Sequence, residues 1–329
     1  MNNYIPIGLS RFLFFLNKIK IILEKAEAAE NPALVAYTED MRTPLFMLEA
    51  LSRLYKKIHP HQKLGKLNKL FKDLEDRLGA IDYYDAFAKE FANEKRIPEA
   101  ITIYLQNKTQ EKAEELNDDL KKKNWIGKHK KRLLKITKDL EKINWLNEKE
   151  DTAAVLQVYK KDIDKLIKSY KIPNLQFTTI ENNVHELRRQ LRWLSIYPQA
   201  LRGLIQLRSN GDVPDFLNKY LTPDILNSLY NIMPDGSGLH ENILLNANYY
   251  YALSSMIAQL GKLKDSGLKI VIIEESIANV YKTNENTEQL AYSICDKTQM
   301  KISQILTYSE QITKTFFDEN IVENLIYKK

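Results

Sequence analysis

Val184-His185-Glu186-Leu187-Arg188-Arg189-Gln190-Leu191-Arg192-Trp193-Leu194 carries an apolar and a basic pattern in the same eleven residues. Val184, Leu187, Leu191 and Leu194 recur at three- and four-residue spacing, the core stripe of an amphipathic helix. His185, Arg188, Arg189 and Arg192 fall on the other side, within roughly one third of the circumference at about 100° per residue. Neighbouring arginines repel one another, so helix propensity does not favour the arrangement. Two readings stay open. One is a solvated basic face with a histidine at its edge. The other is a cluster compensated by carboxylates elsewhere in the fold or by a bound anion, since the planar guanidinium fork matches two oxygens.

Helical periodicity extends outward in both directions. It predicts helices over 8–30, 36–58, 63–91, 150–170, 179–208, 239–282 and 286–325, and a charged segment from Pro98 to about 145 with a break near Trp125-Ile126-Gly127. Asn31-Pro32 closes the first helix and Gly79 is a weak point inside the third. His240-Glu241 reads as a capping feature at the start of the 239–282 helix. The stretch 209–238, with Asn210-Gly211, Pro214, Pro223, Pro234 and Gly236-Ser237-Gly238, reads as loop with one or two short helices; Thr222 before Pro223 is an N-cap. Ile270 to Ile273 is β-branched, but its surroundings favour helix. The fold class is all-α. With Gly and Pro at only 10 each in 329 residues, β-sandwiches and doubly wound α/β folds are disfavoured.

Composition is that of a globular chain, 44% hydrophobic and 28% charged. The single cysteine, Cys295, excludes an internal disulfide and a multi-thiolate metal site and fits a reducing compartment. No stretch reaches the ~18 apolar residues a spanning helix needs. The apolar run Phe12 to Leu16 is closely bracketed by Arg11, Asn17 and Lys18 with no small-residue cleavage site after it, so no signal peptide is expected and the location expected is cytoplasmic. The net charge of +6 permits a polyanionic partner without requiring one.

The order of elements repeats. Each half has an amphipathic helix, a short break, a second long helix, a third helix containing Leu-Gly, and a charged helix. The Leu-Gly elements are Leu78-Gly79-Ala80-Ile81-Asp82 and Leu260-Gly261-Lys262-Leu263-Lys264-Asp265. A tandem duplication joined near 147 is the simplest organisation, giving repeats 1–147 and 148–329.

The 184–194 segment resembles the signature of the CHAD family, the conserved-histidine α-helical domain. His185, Arg188 and Arg192 stand at the histidine and the first two basic places. Trp193 and Ser195 stand where further basic residues belong, and Arg189 adds one. Leu260 to Asp265 matches the family's Leu-Gly-x-x-basic-Asp element, with Lys264 as the basic residue. The first half is similar in outline. Arg42 is kept, but Glu39 replaces the histidine, and Phe46, Met47 and Glu49 take other basic places. Lys66, Lys69 and Lys72 precede Leu78-Gly79, and Asp82-Tyr83 stand at the Arg-Asp places. The resemblance implies two pseudo-symmetric four-helix bundles flanking a basic surface that binds inorganic polyphosphate or a similar polyanion, without catalysis or cofactor. His185, Arg188, Arg189, Arg192, Lys262 and Lys264 would contribute from the second half, and Arg42, Lys66, Lys69 and Lys72 from the first.

Residues 121–142 hold ten basic side chains against Asp139 and Glu141. Lys128, Lys131, Lys135, Lys138 and Lys142 line one helix face, opposite Leu133, Ile136, Leu140 and Ile143. This is either a solvated lysine face or an extension of the anion surface, with Lys128, Lys131 and Lys135 as further contacts.

Other features carry less chemistry. His59-Pro60-His61 reads as a surface turn, not a ligand pair. Tyr249, Tyr250 and Tyr251 point in different directions, so at least one is core. Asp118-Asp119 and Glu274-Glu275 read as solvated charge. The chain lacks a Gly-Lys-Ser/Thr phosphate loop, Gly-x-Ser-x-Gly, His-Glu-x-x-His and the Glu-x-Glu-x-Lys triphosphatase motif, and no nucleophile has a base beside it; no enzyme and no metal site are expected. The alternative to polyanion binding is a helical scaffold, for instance on polyphosphate granules, whose anion site has decayed. Nucleic acid would use the same positive surface but has no recognised motif here.

Overall fold

A computed structural model describes residues 5–59, 62–128, 131–209, 211, 213–283, 285–295 and 298–327. Pro60, His61, Lys130 and Asn210, which entered the sequence reading, lie outside the described residues. The fold is all-α. In chain order the helices are α1 (Ile7–Glu27), α2 (Pro32–Thr38), α3 (Arg42–Ile58), α4 (Gln62–Phe91), α5 (Glu99–Lys122), α6 (Arg132–Glu141), α7 (Glu148–Tyr170), α8 (Glu186–Ala200), α9 (Pro223–Leu226), α10 (Ala247–Tyr281), α11 (Thr287–Ile294) and α12 (Ile302–Asp318). A π-helical turn, Ile180–His185, leads into α8. Strands β1 (Ile205–Arg208) and β2 (Ile243–Asn246) pair in parallel, Ile205 opposite Ile243. Among the described residues no helix is long and apolar enough to cross a membrane.

The chain forms two compact units, Met1–Trp145 with Lys269–Gln299, and Leu146–Leu268 with Met300–Lys329. In the first, α3 packs on α4 and α4 on α5. Their core stripe includes Leu48, Leu51, Phe71, Leu78, Leu105 and Leu116. Gly8 admits the Trp145 ring to the surface of α1; a Cβ there would lie 2.5 Å from Trp145 Cε3. In the second unit Tyr159, Leu187, Leu191, Tyr250, Leu260 and Phe316 are among the fully buried side chains. Tyr159 donates a hydrogen bond to the Leu194 carbonyl at 2.8 Å and so pins α7 to α8. Burial of Tyr250 confirms that the tyrosine run sends one ring into the core.

Several expected boundaries are corrected. Asn31-Pro32 opens a helix instead of closing one: Asn31 Oδ1 accepts the Leu34 amide at 3.2 Å, as an N-cap does, and Pro32 sits at the first turn. The expected 36–58 helix breaks at Asp40, which is left-handed with φ 53°. The expected 179–208 helix ends at Ala200. Arg202 (φ 49°) and Gly203 (φ 92°) turn the chain, and Gly203 is obligatory because a Cβ would meet the Asp235 carbonyl oxygen at 2.1 Å. Residues 205–208 then form β1, and 243–246 form β2 instead of helix. The helix containing Ile270 to Ile273 starts at Ala247, and His240 lies in the loop before β2, its amide donating to Glu148 at 2.7 Å. The 286–325 helix is divided into α11 and α12, with Cys295 extended (ψ 166°) at the end of α11. Gly79 leaves α4 unbroken.

His59 is not a surface residue. It is buried, stacked on Tyr55 (6.0 Å) and edge-on to Trp145 (5.2 Å). The charged segment leaves helix after Lys122, so Lys128 sits in a turn and Lys131 and Lys142 only cap α6, leaving Lys135 and Lys138 within the helix.

Candidate anion-binding surface

The basic edge of the second unit begins in the π-helical turn. Asn183 Oδ1 accepts the amides of Thr178 (2.8 Å) and Thr179 (2.9 Å), and the Thr179 side chain caps Asn182 at 3.1 Å. Loop and helix start are thereby fixed, and His185 projects from the junction with α8. Its Nδ1 meets both Glu181 carboxylate oxygens at 2.9 Å. One turn on, Arg188 reaches across to α10. Its Nε donates to the Ile257 carbonyl at 3.3 Å, and the guanidinium lies on the helix surface at Gly261. A Cβ on Gly261 would stand 3.0 Å from Arg188 Nε, so the missing side chain makes room for the arginine. The contact places Arg188 against the turn of α10 that leads to Lys262 and Lys264. Lys262 is exposed. Lys264 is mostly covered and pairs with the exposed Asp265 at 2.8 Å. Arg189 is exposed and pairs with Glu186 at 2.5 Å; Arg192 is half-buried on the same helix.

The first unit repeats the contact with different charges. Arg42 at the start of α3 lies over Gly79 of α4, where a Cβ would stand 2.9 Å from its Nη2. Glu75 occupies the place four residues before this glycine, which Ile257 holds before Gly261. Asp82 occupies the place three residues after it, which Lys264 holds after Gly261. Arg42 Nε donates to Glu75 and Nη1 to Asp82, each at 2.6 Å, and the guanidinium also stacks over Phe46 at 5.4 Å. The arginine is neutralised by two carboxylates of its own unit.

Two further acids crowd this spot. Glu49 is buried, and burial, reinforced by the negative charge of Glu75, pushes its carboxyl up to about 7. Asp76 takes up Lys72, with both carboxylate oxygens 2.6 Å from Nζ. Lys66 and Lys69 remain exposed on α4, and Lys128, Lys131 and Lys135 are exposed around α6. Glu39 pairs with Lys25 at 2.6 Å.

No family model, no curated protein and no solved structure matches the chain. The functional reading therefore rests on the two arginine–glycine contacts and the charges around them.

Sequence reasoning passed over Glu75. Its signal was present: one helical turn before Gly79, on the face Arg42 must cross. It also misread Glu275 as solvated charge. Glu275 accepts hydrogen bonds from Tyr84 and Tyr104, each at 3.0 Å. Burial, followed by the Glu275 charge, pushes the Tyr84 hydroxyl up to about 12. Asp119, read the same way, is held below the usual carboxylate range, chiefly by its hydrogen bond from Lys123, and Arg77 stands 3.3 Å away.

Proposed function

We propose that the protein binds inorganic polyphosphate or a similar polyanion, without catalysing a reaction on it, through the α8–α10 surface of the second unit. The observation that supports this reading is the Arg188–Gly261 contact. It brings Arg188 of α8 onto α10 at Gly261, next in sequence to Lys262 and Lys264, which suits a surface to which both helices contribute cations. A linear polyanion needs such a row of distributed, salt-sensitive contacts and no base-reading groups. The recurrence of arginine over glycine in both units supports descent from a tandem repeat of the CHAD type. A cytoplasmic location, with polyphosphate granules as one setting, belongs to the same proposal.

A second reading is a helical scaffold in which the anion site has decayed. The Arg42 pairs with Glu75 and Asp82 favour it for the first unit, since they fill with carboxylates the place that an anion would take. Titration of long-chain polyphosphate into the full chain, at several salt concentrations and with duplex DNA as competitor, separates the two. Saturable binding whose log K falls linearly with log salt, and which DNA displaces poorly, supports the polyanion reading. Absence of binding at low salt leaves the scaffold.

A further inference from the structure

We propose that the protein associates with itself head to tail, the apolar loop 225–234 of one copy docking in the groove between α1 and α6 of a second copy. Ile225 to Pro234 holds no charged residue. Within it Leu229 is 79% exposed, Tyr230 86% and Ile232 61%, and Leu226 is exposed as well. Apolar residues scattered singly on a surface need no explanation, but a cluster in one short loop marks a contact site.

The loop displays these side chains on a fixed backbone. Asn231 is buried, and its Nδ2 donates to the Ile225 carbonyl at 2.7 Å. Gln199 Nε2 donates to the Ile232 carbonyl and Gln206 Nε2 to the Pro234 carbonyl, each at 2.8 Å. All three bonds hold main chain, so the loop keeps its shape while its apolar side chains stay in water. A partner that covers them has little ordering left to bring about.

The same chain carries a matching hollow. The groove between α1 and α6 has a volume of about 580 Å³ and is lined by Leu13, Leu16 and Leu23 of α1 and by Leu133 and Leu134 of α6. Charge selects its occupant. Asp224 and Asp235, both exposed, bracket the loop. On α6, Lys131 and Lys138 stand one turn before and one turn after Leu134 on its own face, and Lys135 follows it. All three lysines are exposed, and none pairs with a carboxylate among the described residues. On the α1 wall Lys20 stands 3.8 Å from Glu24, and Glu27 accepts the Gly127 amide at 2.9 Å. The α6 side of the groove therefore offers cations to a loop that brings carboxylates. Two loops face to face would set aspartate against aspartate, and an anionic lipid surface would meet the same carboxylates. An apolar patch that complements a pocket elsewhere on the same molecule makes a heterologous contact between copies. So few side chains bury less than a standard interface, and the association is weak, with Kd on the order of 10–100 µM. It stands whether or not the polyanion reading holds.

The test is sedimentation velocity of the full chain, without polyphosphate, from about 2 to 300 µM. The mean mass should rise with concentration above that of one chain. Tyr230→Asp and Leu134→Glu alter exposed side chains, so folding tolerates them, and each variant alone should stay monomeric. Mixed in equal amounts they should form pairs and nothing larger, because the first keeps its groove and the second its loop. Lys131→Glu combined with Lys138→Glu should weaken association about tenfold. A native chain that stays monomeric throughout, or a mixture of the two variants that does, overturns the proposal. Association that survives Tyr230→Asp or Leu134→Glu overturns it too, and association untouched by the lysine changes overturns the charge matching. Cosedimentation with vesicles of phosphatidylcholine and phosphatidylglycerol tests the other occupant: vesicle binding that Tyr230→Asp abolishes would assign the loop to lipid instead.

Discussion

Arg188 lies flat on α10 because Gly261 has no side chain, and it donates to the Ile257 carbonyl one turn before that glycine. The same relation joins Arg42 to Gly79, but there the carboxylates of Glu75 and Asp82 replace Ile257 and Lys264. One backbone device thus serves opposite electrostatic ends. In the first unit it brings the arginine to two carboxylates of the helix it crosses, the buried Glu75 and the exposed Asp82. In the second it brings the arginine to a backbone carbonyl, and a lysine that is itself paired with Asp265 holds the place of Asp82.

Gly261→Ala tests that device directly. Alanine is the better helix former by about 0.8–1 kcal/mol, while its Cβ pushes the guanidinium away. The expected result is unchanged or slightly raised stability in urea unfolding, together with a fall in polyphosphate affinity of about three- to tenfold. Loss of stability with intact binding would show that the arginine serves packing alone.

Arg42→Ala and the double change Arg188→Ala with Arg192→Ala should part company. Removing Arg42 leaves the buried Glu75 without its cation, a cost of about 1–3 kcal/mol of stability after discount for the partly exposed arginine. Polyphosphate affinity should change little. The double variant should lose roughly 3–6 kcal/mol of binding, if each arginine contributes one charged hydrogen bond. Isothermal titration and urea melts at one fixed salt concentration check both, and equal losses of binding would contradict the asymmetry.

Lys264→Asp converts the second unit to the charge pattern of the first. Arg188 then acquires the counterpart of Asp82, and the surface loses two units of positive charge. Affinity for long-chain polyphosphate should drop by more than about tenfold, and the slope of log K against log salt should flatten by roughly one to two. An unchanged slope would place the polyanion elsewhere, with the exposed lysines of the α6 region as the next surface to mutate.

The helices were legible because their apolar residues keep helical spacing; the Leu187, Leu191 and Leu194 stripe is buried as its pattern requires. What escaped was set by distant partners. Residues 205–208 and 243–246 carry β-branched and leucine residues that suit helix equally well. Only the obligatory Gly203 turn against Asp235 and the pairing of the two segments make them strands. His59 looked like a turn residue because its partners, Tyr55 and Trp145, include one 86 positions away. At the candidate site the cations were readable from spacing, whereas the neutralisation of Arg42 by Glu75 and Asp82 required two helices to be placed side by side.

Glu49 makes stability depend on pH with a sign opposite to that of a salt-bridged carboxylate. Burial, first, and the neighbouring Glu75 charge, second, raise its folded pKa from 4.5 to about 7, while Lys72 and Arg53 pull it partly back. The folded state therefore binds a proton that the unfolded chain releases between pH 4.5 and 7. Over that window this group makes stability fall as pH rises, and above pH 7 its contribution is flat. Glu49→Gln keeps the shape and removes the ionisation. The variant should match the native chain near pH 4.5 and exceed it at pH 8 by about 1–3 kcal/mol, with the difference opening through the window. Urea unfolding of both proteins across that range is the measurement. A difference constant with pH would mean that Glu49 is ionised in the fold and held by Lys72 and Arg53. In that case the acidic cluster around Arg42 carries its full negative charge at neutral pH, and the first unit repels polyanions more strongly still.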